Sequence, residues 1–445
     1  SAASDVYKRQ VYMYYIKRFA ISQYKPTIFT LYMPAALEIT RRWWYIGAVG
    51  HKQNNTRTPP PRKPEMNEQN TSAAAVNALG GFIKKNAVMC IAFIAAVITC
   101  FIVPIDGEYA AYFDCKTLTC LFCVLAVVCA LRNIRFFYIL AEKIVRLFGN
   151  ARSCITALVY ITFIGSMLIA NDMALLTFLP LGYRILEATG KQKYMAFTFI
   201  MQNIAANLGG MLTPFGNPQN LYIYTRYSIP DSEFMQIMAP PFLLSVVMIT
   251  ICCLVFVKPE RLSLQGGQEA LPKARTALYL LLFALSIIIV FRIIPYWLGL
   301  IVIPAALLVC DRKALKDVDY GLLMTFVFFF VFAGNMSRIE AVRTAISGVL
   351  GRNTLLCSVV SCQFISNVPS AILLSRFTDN YPQLLVGVNI GGVGTIISSL
   401  ASLITFREYS KHAPGRSGYY LKVFSAFNFA FLFILTTFML LLDRF

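Results

Sequence analysis

The sequence predicts an all-α membrane protein with several membrane-spanning helices, and three observations lead to this prediction. The chain is 58% hydrophobic and only 14% charged, whereas water-soluble domains carry roughly 25% charged residues. The apolar residues form long blocks nearly free of charge, and several blocks approach the ~20 residues that cross a bilayer as a helix. The basic residues lie in short segments between blocks, as in cytoplasmic loops. The blocks are residues 87–105, 118–131, 155–170, 237–257, 277–290, 322–333 and 423–442.

Charge and composition also argue against other classes of protein. The net charge of +19 is explained by loop lysines and arginines, so we predict no nucleic-acid partner. Two histidines exclude a histidine metal site, and no HExxH motif, carboxylate pair or nucleophile–histidine set indicates an enzyme. We therefore predict no catalytic residues and no cofactor.

Residues 1–65 differ in character from the rest of the chain. They open with SAASDVYKRQ, in which DVYKRQ resembles the translation of a transposase-end sequencing adapter, and they contain no clean apolar block. Two interpretations stay open: an artefact preceding a true start at Met66, or a disordered cytoplasmic tail. The segment does not have the order of regions of a signal peptide.

The remaining chain contains an internal repeat. NLGGMLT at residues 207–213 matches NIGGVGT at residues 389–395, and each motif follows an apolar run broken at an asparagine: IANDMALL around Asn171 and FISNVPSAILL around Asn367. The polar segment 258–275 divides the chain into a first repeat, 66–257, and a second, 276–445.

Charge in the loops predicts how the two repeats cross the membrane. Lys84 and Lys85 place the N-terminus inside, and basic residues flank both ends of the first broken segment. This segment, at about 153–186, is therefore predicted to be a re-entrant hairpin that enters and leaves on the inside. Counting onward, the hairpin at about 354–378 enters from the outside. Two such hairpins define an inverted repeat with broken helices, the architecture of secondary transporters.

The broken segments supply the candidate binding residues. Backbone that leaves the helical form within a membrane must be buried in protein or line a cavity. Unwound carbonyls can bind a cation, and the helix N-termini that follow each break attract anions. The alternatives are close packing at Gly-Gly and helix capping. The candidates are Asn171, Asp172, Asn207, Gly209, Gly210, Thr213, Gly216 and Asn217 in the first repeat, and Ser366, Asn367, Asn389, Gly391, Gly392, Thr395 and Ser398 in the second.

Asp172 has three possible roles. It could carry a proton, because desolvation favours a neutral carboxyl; it could bind Na⁺ or another cation; or it could cap a helix that restarts at Met173. Intramembrane acids are functional candidates by default. The second repeat has Val368 at the corresponding position, so ion coupling is predicted to run through the first repeat.

These motifs resemble the ion transporter superfamily, which includes arsenite permeases, citrate and dicarboxylate symporters and some Na⁺/H⁺ antiporters. The resemblance is carried by IANDMALLTFLPL, NLGGMLTPFGNPQNLYIY, FISNVPSAILL and GVNIGGVGTIISSLASLITFREY, and it is strongest to a bacterial branch of anion permeases. It implies a homodimer with a static scaffold and a moving transport domain.

The resemblance also suggests where Na⁺ would bind. Carried over from the dicarboxylate symporters, Asn171 and Gly216 would belong to one cation site, and Asn367 with residues 394–398 to a second. Both tips depart from the Ser-Asn-Thr motif of those symporters, since Asp172 and Val368 stand in place of the threonines. An ionised Asp172 would repel a carboxylate, and the Asn-Asp pair resembles the arsenite permease and antiporter branches.

The sequence thus predicts a multi-pass protein of the bacterial plasma membrane that moves a small anion, coupled to H⁺ or Na⁺, by alternating access. Arsenite efflux and Na⁺/H⁺ exchange remain alternatives within the same class. An ion channel is the alternative from another class, although no selectivity-filter repeat is present.

Overall fold

The computed structural model describes residues 86–262 and 270–442. Throughout these residues the regular structure is helical and no strand is formed, which confirms the all-α prediction. The predicted tail at 1–65 and most of the middle of the predicted linker lie outside the described residues. The C-terminal end of that linker is helical, because the next helix begins at Lys273.

The described residues form eighteen α-helices. Those before the linker are α1 (Ala87–Ile102), α2 (Cys115–Asn133), α3 (Phe136–Val145), α4 (Ala151–Ile169), α5 (Asn171–Ala188), α6 (Met195–Gly209), α7 (Pro218–Arg226) and α8 (Asp231–Phe256). Those after it are α9 (Lys273–Val290), α10 (Tyr296–Cys310), α11 (Arg312–Lys316), α12 (Tyr320–Arg338), α13 (Glu340–Leu350), α14 (Thr354–Ile365), α15 (Asn367–Leu374), α16 (Tyr381–Ile390), α17 (Leu400–His412) and α18 (Ser417–Leu442).

Six helical segments of the described residues are long and apolar enough to cross a membrane. They are α2, α4, α8, α9, the segment Arg312–Arg338 and α18, and the pair α13–α14, bent by 117°, raises the number to seven if it counts as one span. A helix of about 20 apolar residues matches the hydrocarbon thickness of a bilayer. The protein is therefore an integral, multi-pass membrane protein.

The order of helices repeats along the chain, α2–α8 corresponding to α12–α18. Both series open with a helix of 19 residues and close with one of 26 residues. Aspartates cap both opening helices: Asp114 accepts a hydrogen bond from Thr117 N, and Asp319 accepts one from Leu322 N. Such N-caps satisfy main-chain donors that a helix leaves open. The two halves are thus built from one succession of elements.

The two opening helices, α2 and α12, run in opposite directions. Near the end of α2, Cys129 Sγ donates to Asp317 O, just before α12, at 3.3 Å. Near the end of α12, a Cβ on Gly334 would lie 2.5 Å from the ring of Tyr112, just before α2. The start of each helix therefore lies beside the end of the other.

Helices α4 and α5 fold back on each other as a hairpin. Gln202 Nε2 bridges the two arms, donating to Thr162 Oγ1 at 3.0 Å and to Phe178 O at 3.2 Å. These two partners lie equally far along the chain from Ala170, the residue between the helices. The arms are therefore antiparallel neighbours.

Both ends of this first hairpin converge on one segment after α8. Ala151 N, at the start of α4, donates to Glu260 O at 2.7 Å. Beyond the end of α5, Lys191 Nζ and Lys193 Nζ each lie 2.5 Å from the Glu260 carboxylate. Glu260 therefore holds the two ends of the hairpin together.

Helices α14 and α15 form the second hairpin, with its ends on the opposite side. Ser361 and Ser370 hydroxyls, one in each arm, lie 2.9 Å apart. Arg376, after α15, donates to Tyr112 O at 2.8 Å, beside the start of α2. In the first hairpin, Arg184 of α5 instead donates to Tyr138 Oη at 3.3 Å, in the first turn of α3 and shortly after the end of α2. The two hairpins thus open at opposite ends of α2.

We predict that Glu260→Gln loosens the base of the first hairpin. Hydrogen bonds from Lys191, Lys193 and Tyr194 lower the pKa of Glu260 to about 2 from 4.5. Because the pKa is lowered, this stabilisation is present above pH 4.5 and is lost as the pH falls toward 2. Protection factors for hydrogen exchange, corrected for the intrinsic rate at each pH, should therefore fall at residues 151–153 and 191–195, both in the variant and in acidified wild type.

Glu142→Gln is the matched control, because Glu142 pairs with Arg146, one turn further along the chain at the end of α3. It should leave exchange at 151–153 and 191–195 unchanged. Equal exchange in Glu260→Gln and Glu142→Gln at these residues would contradict the anchoring role of Glu260.

Candidate functional site

The tips of the two hairpins have the same backbone geometry. Ala170 has φ 64° and ψ 151°, and Ser366 has φ 73° and ψ 161°. A positive φ is strained for residues other than glycine, by about 1–3 kcal/mol. In each tip the next residue, Asn171 or Asn367, accepts a hydrogen bond on Oδ1 from the following main-chain N–H at 2.9 Å. The strained turn and the asparagine together start the second arm of each hairpin.

The two tips meet around Asn207 and Gly392. Asn171 Nδ2 donates to Asn207 Oδ1 at 3.3 Å. A Cβ on Gly392 would lie 3.2 Å from Asn367 Nδ2 and 3.4 Å from Asn207 Oδ1. A side chain at residue 392 would crowd both groups. The asparagines of both hairpins are thus brought together, as the repeat of the motif implies.

The interruptions of α6 and α16 begin inside the repeated motifs, after the asparagine of each motif. Helix α6 continues through Asn207 to Gly209, and α7 begins at Pro218. Asn207 Nδ2 donates to Asn203 O at 3.0 Å, and Asn389 Nδ2 donates to Leu385 O at 2.8 Å. These bonds, to carbonyls one turn earlier, keep both asparagines within regular helix, and α6 then ends at Gly209 and α16 at Ile390.

The threonines of the repeated motifs bind the broken helices to the hairpins. Thr213 Oγ1 donates to Met167 O at 2.7 Å, and Thr395 Oγ1 donates to Gln363 O at 3.0 Å. Each carbonyl belongs to the last turn before a hairpin tip, whose acceptors a helix leaves open. The two threonines therefore satisfy main-chain groups of the tips.

The first glycine of each motif permits close packing. A Cβ on Gly209 would overlap Phe163 O, and one on Gly391 would lie 2.7 Å from Cys362 Cβ. Gly209 and Gly391 thus match the alternative of close packing raised for Gly-Gly. Gly210 is equally crowded, since a Cβ there would lie 2.5 Å from Asn217 Oδ1.

The two candidate cation sites suggested by the resemblance to dicarboxylate symporters differ in their contacts. Asn367 N donates to Ser398 O at 2.9 Å, so the second tip adjoins the 394–398 loop. Within the described residues, no hydrogen bond joins Asn171 to Gly216. In the first repeat, a Cβ on Gly216 would overlap Gly210 O. At the corresponding position of the second repeat, Ser398 Oγ donates to Gly392 O at 2.9 Å.

Near the hairpin tips, hydrogen bonds between polar side chains connect the two halves of the chain. Asn217 Nδ2 donates to Asn389 Oδ1 at 3.2 Å, and Asn389 Nδ2 donates to Asn220 Oδ1 at 2.6 Å. Asn203 Nδ2 donates to Ser402 Oγ at 3.3 Å. Sequence reasoning missed six polar residues of this region: Gln202, Asn203, Gln219, Asn220, Gln363 and Ser402. One signal was available for Asn203, which lies one helical turn before Asn207 in an apolar helix.

Asp172 lies in the first turn of α5, where its side chain makes no hydrogen bond within the described residues. The interpretation as a cap before Met173 is wrong, because α5 already begins at Asn171 and its N-cap is Ala170. Asp172 Oδ1 is buried without a hydrogen-bond partner, as are Asn217 Oδ1 and Gln219 Oε1. Buried oxygens without partners are costly, so each of the three is an acceptor that a hydrogen-bond donor or a cation could satisfy.

We predict that Gly209→Ala and Gly391→Ala each destabilise the protein by about 1–3 kcal/mol through overpacking. Thermal unfolding of the purified chain in detergent measures the effect. Gly348→Ala is the control, because nothing lies within 4 Å of a Cβ at that position in α13. It should be neutral or stabilising by about 0.5–1 kcal/mol, since alanine favours helix. Equal melting temperatures for all three variants would contradict the close packing of hairpin and broken helix.

Comparisons with known proteins show which family the chain belongs to. Residues 75–386 match the family described as CitMHS, citrate transporter. The chain is 32% identical over 295 residues to an uncharacterized transporter of Methanocaldococcus jannaschii, covering 66% of this chain and 80% of the relative. It is 30% identical over 290 residues to the inner membrane protein YbiR of Escherichia coli, covering 61% and 74%. The resemblance to the ion transporter superfamily is thereby confirmed, and the protein is a transporter rather than an enzyme. The chain belongs to the CitMHS citrate transporter family.

Proposed function

We propose that this permease moves a small anion across the bacterial plasma membrane, coupled to H⁺ or Na⁺, by alternating access. One observation carries the proposal: two hairpin tips of identical geometry converge on Asn207 and Gly392, while their bases lie at opposite ends of α2. A site between two such tips can be exposed to one side of the membrane and then to the other.

The proposal treats the two series of helices as an inverted repeat and the hairpins as re-entrant. The antiparallel arrangement of α2 and α12 supports the inversion. Basic residues Arg152, Lys191 and Lys193 at the base of the first hairpin favour a cytoplasmic position for it. The second hairpin then opens to the outside, as in transporters whose broken helices meet near the midplane.

An anionic substrate is supported by the helix ends at the tips. Helices α5 and α15 begin at Asn171 and Asn367, and neither start has a side-chain cap hydrogen bond. Each N-terminus carries a partial positive charge from its helix dipole. Because both point to the same region, they favour a small anion there.

The coupling ion is proposed to act at the first tip. Asp172 offers a carboxyl with an unpartnered buried oxygen, which suits a proton or a cation. In the protonated, neutral state it would tolerate a neighbouring anion, and in the ionised state it would repel one. Na⁺ is the alternative coupling ion, with Asn171, Gly216 and Asn367 as its candidate ligands.

Arsenite efflux or Na⁺/H⁺ exchange is the second candidate function. The observation that favours it is the same Asp172 carboxyl, since the Asn-Asp pair replaces the hydroxyl that dicarboxylate symporters carry at this tip. We also propose a homodimer in the lipid bilayer, in which α1, α2 and α12 belong to the static scaffold and the hairpins move.

We predict that Asp172→Asn abolishes ion-coupled transport. The full chain is reconstituted in proteoliposomes containing a pH-sensitive dye, and Na⁺, citrate, succinate, sulfate and arsenite are added in turn. Wild type should move protons when one of these solutes is added. The rate of proton movement should be at least tenfold lower in the variant, since a positioned proton-transfer group raises a rate by about 10²–10⁴.

Asp379→Asn is the matched control, because Asp379 is an exposed aspartate outside the helices. It should transport at the wild-type rate. Proton movement in Asp172→Asn at the wild-type rate would exclude Asp172 as the coupling group.

A further inference from the structure

A cavity separate from the hairpin tips lies between the α2–α3 corner and α5. It has a volume of about 170 Å³, which is room for several water molecules and hence for an oxyanion group. Its lining combines basic and aromatic side chains with smaller, mostly apolar ones. The lining residues are Arg132, Arg135, Phe137, Tyr138, Leu176, Thr177 and Pro180.

Arg132 brings a cation into this cavity without a carboxylate to neutralise it. It lies at the end of α2, half-buried, and its Nη1 donates to Met173 Sδ at 3.6 Å. A thioether is a weak acceptor, and the described residues supply no ion pair to Arg132. Most donors of this guanidinium therefore remain available to a ligand.

Arg135 and the first turn of α3 add to the positive charge. The Arg135 guanidinium stacks 4.4 Å from the centre of the Tyr138 ring. Its backbone has φ 58°, a conformation in which glycine or asparagine would cost less. Arg135 is also the N-cap of α3 and gives that helix no side-chain cap bond, so the helix start at Phe137 and Tyr138 adds partial positive charge.

No carboxylate is among the residues that line the cavity. Two acids lie four residues along the chain from a lining residue: Glu142, which pairs with Arg146, and Asp172, which lies beside the hairpin tip. An ionised Asp172 would discourage an anion from moving further along α5 and would leave it at the arginines.

We propose that this cavity binds an oxyanion, a carboxylate or a phosphate group, between Arg132 and Arg135. Guanidinium groups bind such anions through paired, charge-assisted hydrogen bonds. Two sources present the same chemistry. A dissolved anion would reach the cavity from the aqueous side, and an anionic phospholipid would place its phosphate there with its chains against Leu140 and Leu176, which are 46% and 48% exposed.

The test measures binding of the full chain, independent of transport. Thermal unfolding is recorded for protein in phosphatidylcholine nanodiscs titrated with inorganic phosphate or citrate, and again in nanodiscs containing phosphatidylglycerol. In Arg132→Gln, the anion concentration needed for half of the stabilisation should rise by roughly ten- to a hundredfold, as expected for a lost charge-assisted bond. Arg132→Lys, which keeps the charge, should retain part of it and serves if the glutamine variant folds poorly.

Arg146→Gln is the matched control, because Arg146 pairs with Glu142 and does not line the cavity. If stabilisation by phosphate or citrate is lost in Arg132→Gln but kept in Arg146→Gln, the ligand is a dissolved oxyanion. If only the stabilisation by phosphatidylglycerol is lost in Arg132→Gln and kept in Arg146→Gln, the ligand is a lipid phosphate. Equal responses of Arg132→Gln and Arg146→Gln to every anion, or no response in wild type, would overturn the proposal. The Asp172 transport assay is unaffected by either result.

Discussion

Main-chain groups at four helix breaks must find hydrogen-bond partners inside an apolar protein, and the rest of the structure follows from how they do so. Unpaired backbone groups cost several kcal/mol in hydrocarbon. Here asparagine and threonine side chains replace the missing helical bonds: Asn171 and Asn367 accept from the tips, and Thr213 and Thr395 bind the last turns before them. The two threonine bonds attach each hairpin to one broken helix. The four breaks are thereby gathered into one polar region.

The two halves share this frame of main-chain hydrogen bonds at the helix breaks, but they differ in the side chains at corresponding positions. Asp172 in the first tip corresponds to Val368 in the second, and Gly216 corresponds to Ser398. The frame is therefore symmetric in its main-chain bonds and asymmetric in charge. This asymmetry places the ionisable group on one hairpin only, which is why the proposed ion coupling runs through the first half.

Local patterns predicted the class and the breaks because these depend on neighbouring residues. Apolar blocks and basic loops indicated the membrane helices, and the repeated asparagine and glycine motifs indicated the interruptions. The position of the helix start at Asn171, rather than Met173, was missed because it depends on the strained φ of Ala170. Gln202, Gln219 and Ser402 were missed because their partners lie far away in sequence, and one sequence without an alignment does not reveal such pairs. The contact of Glu260 with Lys191 is of the same kind.

The central claim is that the two hairpins open on opposite sides of the membrane. Membrane-impermeant maleimide labelling of single cysteines tests it in intact and permeabilised cells. The cysteines are introduced as Ala188→Cys, at the last residue of the first hairpin, and as Asp379→Cys, just after the second. The other cysteines are replaced in both variants. The account predicts that Asp379→Cys is labelled in intact cells and Ala188→Cys only after permeabilisation. Labelling of both cysteines from the same side would contradict it.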